Sequence, residues 1–167
     1  MKRMIYVLMA VVWLAGCGSR QPAEKTDTAS APQAPAVKTD LVEIGAKYLA
    51  KGDVVNAMGA FNQAVVINPN DVRAYFVLGQ MYMQMANYDK AIENFKSVAS
   101  IDPNNGQAYL MLGGCYDLQG KRPEAIDAVK KSVEVFEKQR DETGFKTSLA
   151  ILQKLMQTAP GDPAPKP

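Results

Sequence analysis

Leu78-Gly79-Gln80-Met81-Tyr82, followed by Ala91-x-x-x-Phe95 and closed by Asp102-Pro103-Asn104, decides the fold, because the chain carries this set more than once. Ile44-Gly45-x-x-Tyr48 precedes it and Leu112-Gly113-x-x-Tyr116 follows it, so the glycines stand 34 residues apart, twice. Ala57-x-x-x-Phe61 and a weakened Ala125-x-x-x-Val129 keep the same step, and Asn68-Pro69-Asn70 matches the closing tripeptide. A period of this length marks a unit that cannot bury its apolar side alone and must stack on copies of itself.

The pattern resembles the tetratricopeptide repeat (TPR), and the resemblance covers roughly residues 38–139. It implies an all-α solenoid of three helix pairs, 38–71, 72–105 and 106–139. Within it the spacing predicts helices near 39–51, 54–67, 72–85, 88–100, 106–119 and 122–139. Gly45, Gly79 and Gly113 are expected where paired helices cross closely, opposite Ala57, Ala91 and Ala125. Tyr48, Tyr82, Tyr116, Phe61 and Phe95 supply bulk between repeats. Pro69 and Pro103 end the second helices, since proline cannot continue the hydrogen-bond ladder. Pro123 falls in a first turn, where it is tolerated.

The third repeat departs from this pattern. Glu137 replaces the closing proline, Val129 replaces phenylalanine, and Ser132 stands where Ala64 and Val98 stood. Residues 140–158 then read as a C-terminal capping helix, about 142–157. Phe145, Leu149, Leu152 and Met156 form its apolar face, with Lys146, Ser148 and Gln153 off that face. A short repeat array is expected to need such a cap.

Upstream, Met1-Lys2-Arg3 is a positive start, and Met4 to Leu14 runs without a charge. That run is too short to span a bilayer, which takes about 20 apolar residues, but suits a secretory signal. It ends in Leu14-Ala15-Gly16-Cys17, which resembles the bacterial lipobox. The resemblance implies that residues 1–16 are a removed signal peptide and that Cys17 is the lipidation site, a palmitate-type acyl anchor. Gly18 follows the cysteine where an aspartate would imply retention at the inner membrane. The implied location is therefore the cell envelope, on an outer membrane facing the periplasm. Residues 17–37, rich in Pro, Ala and Ser, read as a disordered tether spanning roughly 25 Å on average. Residues 159–167, with four prolines, read as a disordered tail.

Composition narrows the chemistry. The chain has 167 residues, 19 Lys+Arg, 17 Asp+Glu, two Cys and no His. Removal of Lys2 and Arg3 with the signal leaves 17 of each sign, so no basic face for nucleic acid is implied. Without histidine there is no imidazole base or ligand, and two cysteines cannot build a thiolate zinc site. No Gly-x-Ser-x-Gly and no phosphate-cradling glycine loop is present. No catalytic residue, metal or cofactor is expected.

The TPR resemblance places the first helix of each pair along a concave groove. Counting from each repeat glycine gives Val42, Ala46 and Leu49, then Phe76, Gln80 and Met83, then Leu110, Gly114 and Asp117. Most are apolar. Repeat proteins that clasp acidic chaperone tails use a cationic clamp there. Here Arg73 is the lone cation, with Thr39 and Gln107 in the equivalent places, so that function is not expected. Met81, Met85 and Met111 lie beside this surface and read as core. Cys115 is expected to be a buried, inert thiol. Lys90, Glu93, Lys96, Glu124, Asp127, Lys130, Lys131 and Glu134 read as a solvated convex face. The expected function is a membrane-anchored adaptor or assembly factor binding a partner peptide or helix in the groove. Its partner would belong to envelope assembly, secretion or cell-wall machinery. The alternative is a self-associating structural module whose groove is filled by another copy.

Overall fold

A computed structural model describes residues 40–157. The signal segment 1–16, Cys17, the tether 17–37, Thr39 and the tail 159–167 lie outside the described residues. Among the described residues there are seven α-helices and no strand: α1 (Leu41–Ala50), α2 (Val54–Ile67), α3 (Val72–Gln84), α4 (Tyr88–Ile101), α5 (Gly106–Leu118), α6 (Arg122–Gln139) and α7 (Glu142–Gln157). Each helix packs on the next, and α7 also returns against α5.

Short polar residues start most of the helices. Asp40, Asp53, Asp71, Asn87, Asn105 and Asp141 each accept a first-turn N–H, as in Asp40 Oδ1 from Val42 at 3.0 Å and Asp141 Oδ1 from Gly144 at 3.0 Å. Each such cap satisfies an orphan donor. Helix α6 has no side-chain cap and starts with Pro123 in its first turn. The turns within the pairs pass through Gly52 (φ 75°), Ala86 (φ 57°) and Gly120 (φ 74°), and Arg140 (φ 58°) ends α6. Ala86 thus occupies a left-handed position that its two sequence counterparts give to glycine.

The repeat glycines lie at close helix crossings, as expected, and each meets a bulky side chain of the second helix in its pair. A Cβ on Gly45 would lie 2.7 Å from the Phe61 ring, and one on Gly79 would lie 2.7 Å from the Phe95 ring. The alanines are fully buried, and Ala125 comes near Gly113. There a Cβ would meet Val129 and the Ala125 carbonyl. Aromatic rings seated against the glycines fill the helix crossings of the first two repeats.

The capping helix is present over the predicted range, but its buried face is rotated by one residue. Ser148 and Leu155 are the buried residues. Gly144 and Ile151 line the same side, while Met156 is 65% exposed. The seam is therefore centred on Gly144, Ser148, Ile151 and Leu155, while Leu152 of the expected face also packs against the core and Phe145 and Leu149 are half-buried. Its small members explain the shift: Gly144 makes room for the Phe136 ring, 2.5 Å from where a Cβ would sit. Ser148, expected to lie off the apolar face, instead bonds Ser132.

Candidate functional site

The first helices of the second and third pairs and the capping helix bound one cleft of about 570 Å³. Met83 from α3, Leu110, Met111 and Gly114 from α5, and Ile151 from α7 give it apolar walls, with Phe136 at one side. Gln107, Asp141, Thr143 and Thr147 add polar groups. Gly114 sits in mid-helix with no heavy atom within 4 Å of where its Cβ would be. Its missing side chain is open space within the cleft.

Three of the nine residues counted from the repeat glycines, Met83, Leu110 and Gly114, meet in this cleft. Phe76 lines a smaller one of about 320 Å³ with Val72, Arg73, Val77, Asn105 and Gln107. Its ring stands edge-on to Phe95, centroids 5.6 Å apart, so Phe76 is partly a core residue. Gln80 is half-buried. Val42 and Leu49 pack against the first core cluster, around Phe61 and Leu78, and Ala46 is exposed. Asp117 is drawn into a structural tie. Arg122 Nε lies 3.3 Å from its Oδ1, and Arg122 Nη1 donates to the Leu155 carbonyl at 3.2 Å.

Arg73 is likewise engaged. Its guanidinium reaches Asp40 at 3.3 Å and Asp71 at 3.5 Å, linking the caps of α1 and α3. Asp40 foremost, then Asp71, holds the Arg73 proton more firmly than usual. Cys115 is fully buried, and burial pushes its thiol up to about 11. Among the described residues no group of three Cys, Asp or Glu could hold a metal ion. No described helix is long and apolar enough to cross a membrane.

Counting from the glycines misses the contribution of α7. Thr143, Gly144, Thr147 and Ile151 come to the cleft from outside the repeats. Their signal is the spacing of small residues in the capping segment, which a hydrophobic count passes over. Of the methionines expected to be core, Met81 is buried and Met85 is exposed. Met111 is half-buried and lines the cleft.

The family model of the tetratricopeptide repeat matches residues 72–105. Comparison of the sequence with curated proteins finds no match. Among solved structures the chain is similar to the type III secretion translocator chaperone SycD of Yersinia enterocolitica. The TM-score is 0.63 at 20% identity, over 70% of this chain and 81% of that one. It is similar to the TPR2B domain of yeast Sti1 in its Hsp70 peptide complex, with a TM-score of 0.62 at 18% identity, over 68% and 90%. It is also similar to the second TPR domain of human RPAP3, in complex with the HSP70 peptide SGPTIEEVD. That TM-score is 0.61 at 15% identity, over 71% and 94%. At these identities it is the fold that is shared: the seven helices form a TPR solenoid.

Proposed function

We infer that the chain is a non-catalytic adaptor of the bacterial cell envelope, held to the outer membrane by lipid on Cys17. It takes a peptide or helix of a partner protein into the cleft between α5 and α7. The observation that carries this reading is Gly114. A mid-helix glycine weakens its helix by about 0.5–1 kcal/mol relative to alanine, and no internal contact of α5 requires one there. A partner backbone approaching the cleft floor would use that space. The walls of Met83, Met111 and Ile151 suit an apolar segment, with methionine adapting to its shape.

The peptide in the human RPAP3 complex ends in Glu-Glu-Val-Asp. A ligand of that charge is not the one proposed here. Arg73 is already neutralised by Asp40 and Asp71, and the cleft contributes Asp141. The fitting segment is apolar, with a neutral or basic end.

The test is photo-crosslinking in intact cells from a benzoylphenylalanine placed at Met83, with Lys96 on the outer face as control. The expected result is a discrete adduct to another envelope protein from Met83, absent from Lys96 and lost when Gly114→Leu fills the floor. Adducts of equal yield from both positions would sink the reading.

A further inference from the structure

The outer side of α2 differs from the rest of the surface. Its fourteen residues, Val54-Val-Asn-Ala-Met-Gly-Ala-Phe-Asn-Gln-Ala-Val-Val-Ile67, contain no charge, and it is the only described helix of which that is true. At the positions where α4 carries Asp89, Lys90, Glu93 and Lys96, α2 carries Val55, Asn56, Gly59 and Asn62. Val55 is 81% exposed, Val66 78% and Ile67 68%, with Val54 also exposed. Exposed large side chains of this kind are scattered singly on most surfaces, whereas grouped ones mark contact sites.

Val55, Gly59, Asn62 and Val66 fall within an arc of about 60° at 100° per residue. They form one strip along the helix. Asn62 folds its amide back onto the Met58 carbonyl, donating at 2.8 Å. A Cβ on Gly59 would meet nothing within 4 Å, so no internal contact requires this second mid-helix glycine.

The strip is also self-complementary. A two-fold axis across the helix between Ala60 and Phe61 exchanges Val55 with Val66, and Gly59 with Asn62. Every helix backbone has such an axis, but here the strip fits itself across it: valine meets valine at each end, and Asn62 meets the open space at Gly59. A two-fold contact needs one patch to fit itself. An uncharged strip needs a partner strip that is also uncharged, and α2 is the described helix that offers one.

We propose that the outer face of α2 is the contact between two copies of this chain, paired antiparallel about Gly59 and Asn62. The occupant is a second copy, and the cleft between α5 and α7 stays free in each. The strip offers a few hundred Å² per copy, below the roughly 800 Å² per partner of a standard interface. The pairing is accordingly weak and concentration-dependent. It rests on α2 alone and stands whether or not the cleft binds a partner.

The test is disulfide trapping with a mild oxidant in membranes from cells making the full-length chain, scored as dimer on non-reducing gels. Wild type, with Cys17 and Cys115, sets the background. In the antiparallel pair the two copies of residue 62 lie about 5 Å apart along the axes, whereas the two copies of residue 55 lie about 16 Å apart. Asn62→Cys should give dimer several-fold above background. Val55→Cys alone and Val66→Cys alone should not, and co-expressing those two variants should restore it. The proposal is overturned if Asn62→Cys stays at background, if Val55→Cys alone links as well as the mixture, or if Asn62→Cys links to a protein of another mass. Circular dichroism of each variant confirms that the helices are intact, and Asn62→Ser with unchanged helicity must stay at background.

Discussion

The hydroxyl of Ser132 lies 2.9 Å from that of Ser148 in a fully buried contact between α6 and α7. Ser132 gives its one proton to the Gly106 carbonyl at 2.8 Å, so Ser148 is the donor in the pair. The two hydroxyls satisfy each other where the first two repeats carry Ala64 and Val98. Ser132→Ala strands the Ser148 proton and should cost about 1–3 kcal/mol. Ser132→Ala with Ser148→Ala should cost less than the sum of the single changes, because residues in contact do not add. Urea unfolding of the four proteins checks this, and strict additivity would contradict it.

Two helix glycines, one on α3 and one on α5, should respond in opposite directions. Gly79→Ala drives a methyl into the Phe95 ring, 2.7 Å away, and overpacking of this kind costs about 1–3 kcal/mol. Gly114→Ala meets open space and should raise stability by about 0.5–1 kcal/mol. Thermal melts monitored by circular dichroism separate the two.

Ala86 holds φ 57° in the turn between α3 and α4. The left-handed region costs an L-residue roughly 1–2 kcal/mol. Ala86→Gly should therefore stabilise the middle repeat, less the added freedom of the unfolded chain. Gly52→Ala and Gly120→Ala should each destabilise. A lower melting temperature for Ala86→Gly would refute the strain.

Burial holds the Cys115 thiol up to about 11, against a reference of 9.0. The unfolded chain releases this proton near pH 9 and the folded chain does not. The stability that Cys115 contributes is thus fully present below pH 9 and is lost as pH rises toward 11. Stability measured across that range should fall more steeply in wild type than in Cys115→Ala. At pH 8 the folded chain should resist alkylation at Cys115 until denaturant is added.

If Cys17 carries the anchor, Cys17→Ala should abolish labelling by radioactive palmitate and leave the leader uncleaved. Persistent labelling of the variant would rule that site out.

The helix boundaries were legible because short polar caps and glycine turns punctuate a fixed period. Asp53, Asn87 and Asn105 each stand one residue before a helix. The packing partner of each repeat glycine was less legible, because Gly79 and Phe95 meet through space rather than through a sequence rhythm. The centre of the buried face of α7 lies one position from the apolar spacing for a related reason, although Leu152 keeps its core contact. Gly144 and Ser148 are buried for their small size and hydroxyl bond, qualities that a hydrophobic count scores as exposure. The cleft followed the same division. Its α5 residues Leu110 and Gly114 were countable from Gly113, whereas its α7 wall depended on that one-residue rotation.

The two ends of the array are unequal. Helix α7 seals the third repeat with Leu155 packed among Leu110, Ala125 and Val129, while α1 leans chiefly on α2. Linear arrays depend on nearest-neighbour contacts, so a pull applied at Asp40 would peel α1 away while the α5–α7 clamp holds. Under mechanical load the molecule has a direction. Its leading edge yields as a sacrificial link, and the cleft is among the last features to come apart.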